Sequence, residues 1–210
     1  MSIGLKLQDR YGLRIDKDFS QMSSLAVNWV EEFLADRAHR TGRKMKILEY
    51  GSGMSTVLFS KLFPDYEITS IEGNKEWYEK IGKLLEDNVD HRFIEHSPNW
   101  RIRNIEIKKE YLDPLREKKS WDLILNDGCI RETIGDYIME NIDRLLKPGG
   151  IYLRHDYEMA ITGKWIQTGY KKPGYDEFTA KNDGYELITV TGNGMWGYKA
   201  EMGGIWRKEI

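Results

Sequence analysis

Glu49-Tyr50-Gly51-Ser52-Gly53 stands where a short apolar run ends, and Glu72 closes a second run nineteen residues after Gly53. Two close-set glycines between a strand and a helix let a ligand approach the backbone. An acid at the end of the next strand can grip vicinal hydroxyls, so this is the layout of a nucleoside-binding βαβ unit. Further along, Asp127 follows the apolar run Trp121–Asn126, and Arg154-His155-Asp156-Tyr157 stands at the end of another. A carboxylate or an imidazole so placed can take a proton from a substrate, the imidazole because its ordinary pKa lies near neutrality.

The elements that must carry these groups follow from the apolar periodicity. Strands are predicted at 45–50, 67–72, 92–96, 121–126 and 151–154, the last after the turn Lys147-Pro148-Gly149-Gly150. Helices are predicted at 55–63, 75–89 and 131–146, with a short one near 111–118. An earlier helix starting at Ser20 puts Met22, Leu25, Ala26, Trp29, Val30, Phe33 and Leu34 on one face, a pattern that packs it on the sheet edge. Strand–helix alternation at this spacing implies a parallel sheet covered on both faces. Residues 159–184 show no clear periodicity, and strands at 186–191 and 204–208 flank a glycine-rich connection that suits a hairpin.

The glycine loop departs from a dinucleotide fingerprint. Thr56 occupies the third glycine position, and Glu49 would repel a pyrophosphate. A carboxylate there suits a ligand carrying positive charge, such as the ammonium and sulfonium groups of S-adenosylmethionine. Glu49-x-Gly51-x-Gly53, Glu72, Trp121-Asp122-Leu123-Ile124-Leu125-Asn126-Asp127-Gly128 and Leu146-Lys147-Pro148-Gly149-Gly150 together resemble the motifs of the class I S-adenosylmethionine-dependent methyltransferases. The resemblance covers about 45–158 and extends to the tail. It implies an α/β fold, a Rossmann-like, doubly wound, mostly parallel seven-stranded sheet with an antiparallel C-terminal hairpin and helices on both faces. It also implies one methyltransferase domain over 1–210, with a helical lead-in at 1–44, a cofactor-binding core at 45–158 and an acceptor-pocket segment with the hairpin at 159–210.

The cofactor-binding residues this implies are Glu49, Gly51, Ser52, Gly53, Ser55, Thr56, Glu72, Gly73, Asn74, Ser97 and Asp127. Hydroxyls of Ser55 and Thr56, with free N–H groups of the helix they open, are expected to hold the ligand carboxylate. Trp77 or Trp100 could stack on adenine, with packing as the plainer role for each. The catalytic candidates are Asp127, His155 and Asp156. The pairing resembles the small-molecule O-methyltransferases of the catechol and macrolide-sugar types, and that resemblance implies magnesium on Asp127 and Asp156, with His155 a further ligand. Histidine suits magnesium poorly, and adjacent strand residues point to opposite faces. A metal site, a metal-free base and a structural role for both residues therefore stay open. Arg131, Tyr157, Lys164 and Trp165 are the expected acceptor contacts, Arg131 having ion pairing within its helix as an equal alternative.

A net charge of −2 with mixed acids and bases gives no general case for nucleic acid or an anionic membrane. The Asn/Asp-Pro-Pro-Tyr motif of nucleic-acid amine methylation is replaced by Asn126-Asp127-Gly128-Cys129. One cysteine excludes an internal disulfide, and no apolar run reaches membrane-spanning length, so a cytoplasmic protein is expected. His39, His91 and His96 lack metal spacing and read as surface or strand residues. The expected partner is a small-molecule acceptor, most simply a hydroxyl of a saccharide or secondary metabolite, with a homodimer left open. An N-methyltransferase of a small amine and a non-catalytic S-adenosylmethionine-binding subunit are the competing readings.

Overall fold

The computed structural model describes residues 24–96, 107–118, 120–128, 130–155, 174–191 and 200–209. In chain order the elements are α1 (Ser24–Thr41), β1 (Lys46–Tyr50), α2 (Met54–Leu62), β2 (Glu67–Glu72), α3 (Lys75–Gly82), β3 (Val89–Phe93) and α4 (Lys109–Leu112), which runs into a 3-10 turn. They continue with β4 (Trp121–Asn126), α5 (Arg131–Glu140), α6 (Ile142–Leu145), β5 (Leu146–His155), α7 (Tyr175–Lys181), β6 (Tyr185–Thr191) and β7 (Ala200–Arg207). The strands form one seven-stranded sheet in the order β3-β2-β1-β4-β5-β7-β6. The β2–β3, β1–β2, β1–β4 and β4–β5 pairs are parallel, whereas β7 runs antiparallel to both β5 and β6. This is the doubly wound arrangement expected from the sequence, with a reversed strand set inside one edge.

The central strands carry apolar side chains on both faces, as a parallel sheet buried between helices requires. Ile47, Leu123, Leu125, Ile151 and Leu153 pack with Ala26, Val30 and Leu34 of α1 and Val57, Leu58 and Phe59 of α2. Leu48, Tyr50, Ile124 and Tyr152 face the other way, against Ile134 and Ile138 of α5, Tyr111 of α4 and Tyr175 of α7. The α1 helix thus contributes directly to the core beneath one sheet face, and the start predicted for it at Ser20 lies outside the described residues.

Several boundaries differ from the sequence reading. The helix predicted at 75–89 stops at Gly82, where glycine weakens a helix. Strand β3 starts at Val89, three residues before its predicted start, because Asp90, His91 and Arg92 hide its apolar signal. The helix predicted at 131–146 is broken at Asn141, which caps α5. The last strand begins at Ala200, four residues before its predicted start, and the stretch read as aperiodic contains α7.

The Pro-Gly-Gly turn has a structural cause. Gly149 has a φ of 72°, and a Cβ on it would lie 2.1 Å from Arg37 Nη1. Arg37 is buried, and its guanidinium reaches Asp122, Glu209 and the Pro148 carbonyl. No helix among the described residues is long and apolar enough to cross a membrane.

Candidate functional site

Strand register gathers the predicted residues. Glu49 pairs with Ser70 on β2 and with Leu125 on β4, and Leu125 pairs with Leu153 on β5. Side chains two residues apart share a face, so the next row reads Glu72, Gly51, Asp127 and His155. Four residues from four segments meet at the carboxyl ends of the parallel strands, which is where open α/β sheets bind their ligands.

Gly51 must be glycine. Its φ is 90°, and a Cβ on it would lie 2.8 Å from the backbone of Asp127 and from Gly128 N. Its N–H donates to Ile71 O at 2.9 Å, and Asp127 N donates to Tyr50 O at 2.8 Å. The loop is therefore stitched to both neighbouring strand ends, and the missing side chain lets it pass across them.

Glu49 lies one row deeper and is fully buried. It accepts hydrogen bonds from the hydroxyls of Ser55 and Thr56, and from Ser70 Oγ at 2.9 Å. Burial raises its pKa to about 7, the three hydroxyls pull it back, and the nearby charge of Asp127 adds to the rise. These bonds revise one expectation. The Ser55 and Thr56 hydroxyls turn inward to Glu49, which leaves the N–H groups of the first turn of α2 as the groups able to hold an anion.

Glu72 is largely buried, and its Oε1 accepts from the backbone N–H groups of Gly73 at 2.8 Å and Asn74 at 2.7 Å. Burial raises its pKa, while those N–H groups and the neighbouring His96 favour its charge. Asn74 caps α3 by accepting from Trp77 N at 3.0 Å. The Trp77 indole donates to Ser52 O at 2.5 Å, with Lys80 Nζ 5.0 Å from its ring centroid. It holds the glycine loop to α3.

Two histidines that the sequence assigned to plain surface or strand positions reach this site. The His96 ring packs against the Gly73 backbone and tilts against Tyr111, with ring centroids 5.8 Å apart. His91 Nε2 lies 3.0 Å from Ser52 Oγ. The available signal was alternation on a charged edge strand, which is weak.

His155, the last residue of β5, is buried, and its Nδ1 lies 3.1 Å from Asp127 Oδ1. On the opposite face the buried Arg154 pairs with Glu132 of α5. Among the described residues no group of three His, Cys, Asp or Glu side chains is arranged to hold a metal ion. Asp156, Ser97, Trp100, Tyr157, Lys164 and Trp165 lie outside the described residues, as does the side chain of Arg131.

No family model matches the chain, and no curated protein matches it by sequence. Solved structures do match. The MycE methyltransferase from the mycinamycin biosynthetic pathway, in complex with Mg and SAH, superposes with a TM-score of 0.58 at 14% identity over 97% of this chain and 54% of its own. A Staphylococcus aureus protein assigned as a caffeoyl-CoA O-methyltransferase gives 0.58 at 16% identity, covering 98% of this chain and 90% of its own. WbdD gives 0.58 at 16% identity over 88% of this chain.

The chain has the methyltransferase fold. It spans 54% of MycE and 40% of WbdD, a bifunctional kinase-methyltransferase. At these identities the likeness is one of fold, and within that methyltransferase fold the glycine loop, Glu72 and the Asp127–His155 pair occupy the carboxyl edge of the sheet.

Proposed function

We propose that this protein transfers a methyl group from S-adenosylmethionine to a hydroxyl of a small-molecule acceptor, a saccharide or secondary metabolite. The observation that carries the reading is the single row of Glu72, Gly51, Asp127 and His155, which sets a nucleoside grip beside an acid–base pair. The gap at Gly51, the carboxylate of Glu72 and the α2 N-terminus suit the parts of such a cofactor: backbone approach, ribose hydroxyls and carboxylate. When bound, the cofactor supplies an electrophilic methyl on a positively charged sulfur. MycE has been crystallised with Mg, SAH and mycinamycin VI, which supports a small-molecule acceptor here.

The residues then divide the work. Glu72 accepts from the ribose hydroxyls, with Gly73 and Asn74 fixing its orientation. Glu49 acts through its field, since a buried carboxylate favours a nearby cation strongly in low dielectric. Asp127 Oδ1 stands 3.1 Å from His155 Nδ1, where its charge would stabilise the imidazolium formed when His155 takes the acceptor's proton. The acceptor pocket belongs, in this proposal, to 159–184 and the connection after β6. Magnesium bound through Asp127 and Asp156 would acidify the acceptor hydroxyl, and the assay below is run with and without it.

Glu49 makes cofactor binding pH-dependent. Its pKa of about 7 falls when a cation binds beside it, so binding near neutrality releases a proton and tightens as pH rises from about 6 to 8. Calorimetry in buffers of different ionisation enthalpy reads that proton, and Glu49→Gln should abolish the release. The function itself is tested by incubating the protein with methyl-labelled S-adenosylmethionine and a panel of hydroxyl and amine acceptors. Label on a hydroxyl acceptor is the expected result. Label confined to amines would replace it with the N-methyl reading.

A further inference from the structure

Ser52 is the least explained residue of the glycine loop. Its carbonyl accepts the Trp77 indole N–H at 2.5 Å, and its hydroxyl lies 3.0 Å from His91 Nε2 and 3.4 Å from Glu72 Oε2. A serine hydroxyl has one proton. Donated to the Glu72 carboxylate, it leaves Oγ to accept from His91, which fixes the imidazole as the Nε2–H tautomer. His91 is itself held from its other side. Tyr78 of α3 stacks on it with ring centroids 4.2 Å apart, and the Tyr78 hydroxyl donates to His91 O at 3.3 Å. Burial lowers the His91 pKa to about 4, so the ring is neutral near pH 7.

We infer that His91 and Ser52 form a positioning relay for Glu72, a chain His91 Nε2–H to Ser52 Oγ–H to Glu72 Oε2 that tunes recognition of the cofactor's ribose. The inference rests on the proposed cofactor reading and adds two residues to it. Glu72 Oε1 is already aimed by two backbone N–H groups, so its second oxygen is the one left to be set from outside the β2 turn. At 3.4 Å the last link is long for an O–H···O bond, so it acts as a weak orienting contact that a bound ribose would compete with or tighten. The steering group comes from β3, the edge strand, so the relay also ties the ribose site to a strand that contributes no other described contact to Glu72 Oε2.

The test is calorimetric titration of the full chain with S-adenosylhomocysteine and with its 2′,3′-dideoxy analogue, which lacks the hydroxyls Glu72 would hold. His91→Leu is expected to weaken the ribose-containing ligand about 3–10-fold, the worth of one hydrogen bond, and to leave the dideoxy analogue within about twofold. His91→Gln, whose amide can reach the Nε2 position, should restore wild-type affinity. Ser52→Ala changes volume little and should reproduce the loss, and the double variant should be no worse than either single one. Equal weakening of both ligands, with no rescue by glutamine, would reduce His91 to loop packing and overturn the relay. An unchanged ribose preference would overturn it too. A wild-type protein that binds neither ligand would instead overturn the cofactor reading beneath it.

Discussion

His155→Gln is expected to lower kcat for methyl transfer to a hydroxyl acceptor by about 10²–10⁴-fold, the usual worth of general base catalysis. Affinity for S-adenosylmethionine should stay within about threefold, because the loss falls on proton removal. Asp127→Asn should lower kcat over the same range. The amide cannot stabilise an imidazolium at the 3.1 Å contact with His155 Nδ1, and it can donate to that nitrogen, which favours the wrong tautomer. The pH profile of kcat separates a base from a structural residue: an ascending limb in the wild type should vanish in His155→Gln. A rate loss under about threefold, with the limb intact, would remove His155 from the mechanism.

The second large effect concerns stability and lies at the opposite end of the sheet. Asp122, the second residue of β4, is fully buried and accepts from Arg37 Nε at 2.9 Å, Arg43 at 2.8 and 2.6 Å, Lys147 Nζ at 2.9 Å and Lys46 N at 3.0 Å. It joins α1, the start of β1 and the turn within β5. Asp122→Ala removes the deepest partner of the buried Arg37, whose guanidinium keeps only Glu209 and the Pro148 carbonyl, a loss of up to about 3–5 kcal/mol. For a chain of this size that lowers Tm by about 6–20 °C. Burial opposes ionisation of Asp122, but its donors outweigh it and hold the pKa at about 2, below the ordinary 3.8. The sign follows: its stabilisation is complete above about 3.8 and disappears as pH falls through about 2. Urea unfolding between pH 2 and 5 should show this slope in the wild type and lose it in Asp122→Asn.

These two sites differ in how far they could be read from sequence. Strands β2 and β4 match their predicted limits because apolar and β-branched runs bounded by turns leave little choice. Glu49, Gly51, Glu72 and Asp127 were visible as strand-end residues for the same reason. The meeting of Gly51, Glu72 and Asp127 with His155 in one row was not visible, since register depends on pairing between strands far apart in sequence. The inward turn of the Ser55 and Thr56 hydroxyls also lay beyond pattern reading, because it requires Glu49 to be buried beside them. His91 was hidden by the charged residues around it. Arg37 was hidden more deeply: a basic residue within an amphipathic helix reads as solvated, and its partner Asp122 stands 85 positions away. The seven residues of α7 are too few for periodicity to declare a helix.

The central claim is that the Glu72–Gly51 row binds S-adenosylmethionine. Calorimetric titration with S-adenosylmethionine and, separately, with NAD tests it most directly, using the wild type and Glu72→Ala. Saturable binding of S-adenosylmethionine, weakened about 10–100-fold by Glu72→Ala and unmatched by NAD, is the predicted result. Preference for NAD, or binding of S-adenosylmethionine indifferent to Glu72, would contradict the account at its base.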